Sequence, residues 1–267
     1  MAATASSIAP TPTVPRPDSP RAGLVRDTGA VRRDSVRATR WIASGAVKVL
    51  GNVDVDQGSV AGLTSVAGGL TAASLNVRGT LEVDGTVDVR GSFSGVGTLR
   101  FAGAFHAVSA SVRGHVLASA ELRVDRDLRV TGLLEAPTVT AGLIDLVGAA
   151  SVPGDLAAIG SITGRFKGDS NLGRLRARSI VLRGPPGGFV PKLLRKVFGG
   201  NATVRAERLE AETVELESVD VGFVRAKSIA LGPDAHVAEV EGTIVRRHPS
   251  ARVGPESRSP PPYGLSR

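Results

Sequence analysis

Between Leu75 and Phe93 the chain reads LNVRGTLEVDGTVDVRGSF, a six-residue phrase spelled three times. Aliphatic residues occupy Leu75, Val77, Leu81, Val83, Val87 and Val89, and Gly79, Gly85 and Gly91 punctuate the copies. An apolar-polar-apolar triplet has the period of a β-strand, in which alternate side chains face opposite ways. Each triplet is too short to be stable alone, because even one isolated hairpin is marginal in water. If every phrase turns one corner, about three copies close a coil of roughly 18 residues. Coils then stack as parallel strands about 4.8 Å apart. The inward pairs would form a continuous apolar column, each fully buried Val or Leu contributing about 1.5–3 kcal/mol. Arg78, Glu82, Asp84 and Arg90 would face water or corners. A β-sandwich or β-barrel calls for longer strands, with turns every 8–12 residues or so. The spacing of six predicts an all-β fold, a parallel β-helix.

The rhythm divides the chain. Residues 1–44 are rich in Pro, Ser, Thr, Ala and Arg and predict a disordered basic tail. At its end Arg32, Arg33, Arg37 and Arg40 accompany Trp41 and Ile42; a solvated leader is the simpler reading, and contact with an anionic membrane or a partner the other. Residues 45–183 predict the β-helix. In 184–200, Pro185–Gly188 breaks the strands. Phe189, Val190, Leu193, Leu194, Val197 and Phe198 then recur at helical spacing, with Lys192, Arg195 and Lys196 on the other face. This predicts a short amphipathic helix, either a lid on the β-helix flank or a membrane contact. Residues 201–254 resume the pattern for about three further coils, and 255–267 read as a disordered end. The stretch RLEAETVELES has helical propensity but lies inside the β-pattern, and strand is expected there.

Composition supports stacked layers. Hydrophobic residues make up 42% of the 267, aromatics only 3%, so the core is built from aliphatics. There is no Cys, which excludes disulfides and thiolate metal sites and fits a cytoplasmic location. The N-terminus lacks the apolar run of a signal peptide. The net charge of +8 belongs mainly to the ends: residues 1–50 hold eight Lys/Arg against three Asp/Glu. A nucleic-acid-binding body would carry its own basic face with aromatics, so a nucleic-acid partner is disfavoured.

Catalytic chemistry is hard to find. GVGTLR at Gly95–Arg100 lacks the third glycine of a dinucleotide loop, and no phosphate-binding Walker loop exists. No nucleotide, metal or other cofactor is expected. His106 or His115 could serve as the base of a left-handed β-helix acyltransferase, but surface histidines are the simpler reading. An exported β-helical adhesin is a further alternative. Function then falls to surfaces. An open coil end carries unpaired backbone groups that template another copy. Val47, Val49, Val53 and Val55 near the start, and Val237, Val240, Ile244 and Val253 near the finish, are expected to make polymer contacts.

The glycine-punctuated pairs, together with the ordering from residue 187 onward, resemble the bactofilins, polymer-forming cytoskeletal proteins of bacteria. The resemblance rests on GGFVPKLLRKVFGGN, on the acidic phrase Glu212–Glu217, on Val224–Pro233 ending in Gly-Pro, and on His248–Val253. It covers roughly residues 45–254; the long Pro- and Arg-rich leader lies outside it. The resemblance implies a right-handed β-helix that assembles with itself into filaments without nucleotide. It also implies a non-enzymatic scaffold for cell shape or for placing other proteins, working at the inner face of the membrane, with flexible tails that reach membrane or cell-envelope proteins.

Overall fold

The computed structural model describes residues 21–185 and 203–254. It is a parallel β-helix in which about 13 coils stack along one axis. The strands are β1 (Ala22–Arg33), β2 (Val36–Val49), β3 (Val53–Val66), β4 (Leu70–Val83), β5 (Val87–Phe101), β6 (Phe105–Ala118), β7 (Leu122–Glu135) and β8 (Val139–Ala158). After these come β9 (Ser161–Phe166), β10 (Ser170–Arg176), β11 (Ser179–Arg183), β12 (Val204–Glu217), β13 (Asp220–Leu231), β14 (His236–Arg247) and β15 (Arg252–Val253). Every pairing is parallel, and no helix occurs among the described residues.

Each coil contributes three inward pairs. In the fourth they are Leu70 and Ala72 on side one, Leu75 and Val77 on side two, and Leu81 and Val83 on side three. All six are at most 2% exposed. Like residues pile on like: Val36, Val53, Leu70, Val87, Phe105, Leu122 and Val139 are successive register partners. Leu75, Leu81 and Val87 therefore point from successive sides into one shared interior, as the six-residue spacing predicts.

The strands are longer than the triplets because the ladder survives one kind of corner. Gly45, Gly62, Gly79, Gly97, Gly114, Gly132 and Gly148 all have positive φ and stack in register between sides two and three. This conformation is costly for residues with a Cβ. A Cβ at Gly79 would also strike the Gly62 carbonyl oxygen, so the column needs glycine twice over. Gly85 marks a different corner, where the strand is interrupted, and Gly91 a third, where the register shifts. Identical phrases thus make three unlike corners.

Bulky side chains enter this narrow column only beside inward glycines. Phe93, Phe101 and Phe105 meet in the core, with ring centroids 4.8–6.2 Å apart. Gly95 stands beside them, and a Cβ there would lie 2.7 Å from Leu99 Cδ1 and 3.2 Å from Phe93. Constant total volume keeps successive coils alike.

One boundary differs from the one the pattern predicts. The β-helix begins at Ala22, so residues 21–44 are coils rather than tail. Their alternation is hidden because small residues fill half of the inward positions: Ala38 and Ala43 are buried beside Val36 and Trp41, with arginines between them. Trp41 has no exposure at all and cannot touch a membrane. The expected helix of Phe189–Phe198 lies outside the described residues, as do residues 1–20 and 255–267. The RLEAETVELES stretch is strand, within β12.

Candidate assembly surfaces

Every internal coil has a hydrogen-bonded neighbour above and below. The sheet order starts at β1 and finishes at β15, so the outer edge of β1 has no strand partner among the described residues. At the far end β15 covers only His236 and Val237 of β14, leaving Val240–Arg247 as the second free edge. Such an edge is a row of unpaired N–H and C=O groups ready to template another strand.

The upper face presents Val25 and Val31, both partly buried, and Leu24, 54% exposed. Between them the Asp27 carboxylate points into the column, above Ala43. It is 2% exposed. Arg33 Nε donates to Oδ1 at 2.7 Å, and Trp41 Nε1 donates to Oδ2 at 3.0 Å. Burial works to raise the Asp27 pKa, but the two hydrogen bonds and the Arg33 charge outweigh it and hold the carboxyl below its ordinary value. A charge at this depth is sustainable because both of its oxygens are paired.

The lower face is also partly apolar. Ile244 and Val253 pack on the core while remaining partly exposed, and Val245 is 62% exposed. The last corner is a compact turn: Ser250 N–H and Ser250 Oγ both reach His248 Nδ1, at 3.2 and 2.9 Å, so that nitrogen is the acceptor. Ala251 N–H donates to the His248 carbonyl at 3.0 Å, and Ala251 is buried. The His-Pro-x-Ala-x-Val phrase is therefore the device that returns the chain for a final half-turn.

These positions revise the expected contact residues. Val47, Val49, Val53 and Val55 are 0–3% exposed, because β1 covers the coil they were expected to terminate. The exposed upper edge is formed instead by the strand that carries Val25, Gly29 and Val31, which the polar spelling of AGLVRDTGAVRR conceals. Val237 is likewise covered, by β15, while Val240, Ile244 and Val253 do lie at the lower end, Val240 with its side chain turned into the core.

The remaining polar clusters are cross-coil ladders. His106 sits between Asp88, 2.9 Å from Nδ1, and Asp125, 3.1 Å from Nε2. Its hydrogen bonds to Asp88 and Asp125 raise its pKa above the ordinary histidine value. His115 Nε2 lies 3.2 Å from Glu135. A groove of about 930 Å³ near the lower end is lined by Asn171, Arg205, Asp220, His236 and Arg252, a single register column of mixed charge. No three His, Asp or Glu side chains converge as metal ligands among the described residues. Among the described residues there is no helix long and apolar enough to cross a membrane. No family model, no curated protein and no solved structure matches this chain.

Proposed function

We propose that the chain is a structural scaffold whose β-helices stack end to end, without nucleotide, into filaments. The reading is supported by one observation above the others: both terminal coils present parallel strand edges with no partner among the described residues. Stacking extends the apolar column and satisfies the edge groups, and the only chemistry it requires is that already joining neighbouring coils. A head-to-tail contact would be heterologous and would not close, which gives a fibre rather than a ring. The motifs at Glu212–Glu217, Val224–Pro233 and His248–Val253 support the same reading through their resemblance to bactofilins. On that resemblance the polymer is a cytoplasmic, non-enzymatic support for cell shape or for localising other proteins.

The purified full chain tests this. Without nucleotide it should pellet on ultracentrifugation and show filaments by negative-stain electron microscopy. A monodisperse monomer, or a discrete trimer of the kind an acyltransferase needs, overturns it.

The upper end supplies a sharper probe. A Cβ at Gly45 would lie 2.7 Å from the Gly29 carbonyl oxygen, so each glycine of the column points at the coil above. Gly29 is the first, and among the described residues nothing lies within 4 Å of its Cβ position. A side chain at Gly29 therefore leaves the fold room but projects toward any copy stacked on that end.

A further inference from the structure

The three sides of the β-helix treat their charges differently. On side one the cations are tied to acids on the same or a neighbouring coil: Arg90 to Asp88, Arg123 to Asp125, Arg174 to Asp155 and Arg225 to Glu241. On side two, from the fourth coil to the ninth, Arg78, Arg113, Arg129 and Arg165 are exposed, and none has an ion-pair partner among the described residues. Arg78, Val96, Arg113, Thr131, Val147 and Arg165 form one register column, with Arg129 in the column beside it. Five coil steps separate the first arginine from the last, about 24 Å. The acids bordering them are Asp145, next to Arg129 in register, and Asp127 at the corner. Neither makes an ion pair with these arginines.

We propose that this side docks on an anionic phospholipid bilayer. The four guanidinium groups stand on one sheet face, so they meet a planar array of phosphates together, whereas a nucleic-acid duplex is convex. The side chains among them are Asn76, Ser94, Ser111, Thr131, Val147, Thr163 and one acid, Asp145, with Val96 49% exposed. No aromatic lies on the face for bases to stack on, which disfavours single-stranded nucleic acid. A small apolar group among cations suits the headgroup boundary of a bilayer. This surface differs from the leader arginines: Arg33 is already held by Asp27 and Arg37 lies 3.5 Å from Asp54. One copy would bind weakly. The proposal rests on the scaffold reading for its strength, since a filament repeats the face and gains avidity.

Vesicle flotation tests it, with the full chain and vesicles of phosphatidylcholine alone or with about one third phosphatidylserine, near the physiological screening length of about 8 Å. Wild type should float with the anionic vesicles only, and should be released in high salt. Arg78→Gln/Arg113→Gln/Arg129→Gln/Arg165→Gln should lower partitioning at least about tenfold, in line with the per-residue attraction of basic groups to anionic leaflets. Arg90→Gln/Arg123→Gln/Arg174→Gln/Arg225→Gln removes the same charge from side one and should keep most of the binding. Equal losses in both variants, no loss in the first, or no flotation of wild type overturns the proposal. So does tighter binding of wild type to a DNA duplex that the first variant abolishes. Pelleting of the first variant without vesicles is read separately. If it pellets as wild type does but fails to float, the membrane face is supported; if wild type floats yet never pellets, the scaffold reading fails and this one survives.

Discussion

The middle of the β-helix and its upper end use the same glycine column, and one residue in each shows what stacking does. Gly97 has the Gly79 carbonyl oxygen directly against its Cβ position, whereas Gly29 has no neighbour there among the described residues. Both have positive φ. The conformational demand is therefore shared, and the steric demand exists only where a coil lies above. An end of this fold is a site whose constraint has yet to be supplied.

That contrast gives the largest expected effect. Gly97→Val should destabilise the fold by roughly 3–5 kcal/mol, combining strain at positive φ with overpacking against backbone. Gly29→Leu should cost only about 1–2 kcal/mol, the conformational part. Thermal unfolding followed by circular dichroism compares them; equal losses at the two positions would break the comparison.

Asp27→Ala comes next. It leaves Trp41 Nε1 and Arg33 without their acceptor and should loosen the first coil by about 2–3 kcal/mol. Amide exchange should quicken in Ala22–Arg33 while β4–β7 stay protected. Acid should mimic it. A carboxyl held below its ordinary pKa contributes stability that is present above the unfolded value, near 3.9, and lost as pH falls through the lower folded one. Exchange in β1 that is indifferent to both changes would show that the cluster does not hold the end.

Thr64 sharpens the account of the middle. It occupies an inward position between Val47 and Leu81, is wholly buried, and its hydroxyl has no hydrogen-bond partner. Thr64→Val should raise stability by about 1 kcal/mol. The smallest effect belongs to His106. Its raised pKa means a contribution fully present below the ordinary histidine value and lost as pH climbs through the folded one. His106→Gln should flatten the dependence of melting temperature on pH between the ordinary histidine value and the raised folded one. Because the ring is 40% exposed, the change should be slight.

Leu75–Phe93 displays the architecture openly because its inward positions are all large aliphatics or Phe and its glycines fall every six residues. The first two coils use the same geometry with Ala38, Ala43 and a buried acid inward, so their alternation looks like the composition of a tail. The upper edge is illegible for that reason: placing it requires knowing that β1 exists. Trp41 was misleading for a related reason, since an indole beside four arginines resembles an interfacial anchor until Asp27 is found beneath it. The side-two arginines could not be picked out from sequence either. Arg78 and Arg90 sit in nearly identical phrases, VRGT and VRGS; Arg90 meets Asp88 two residues before it on the same strand, whereas only the stacking of coils places Val96 rather than an acid beside Arg78.

The most direct measurement is filament length by electron microscopy for wild type and Gly29→Leu at matched concentration without nucleotide. The account predicts long filaments for wild type and, for a variant that melts nearly as wild type does, species no longer than a dimer joined at the lower ends. Filaments of wild-type length from Gly29→Leu, or none from wild type, would contradict it.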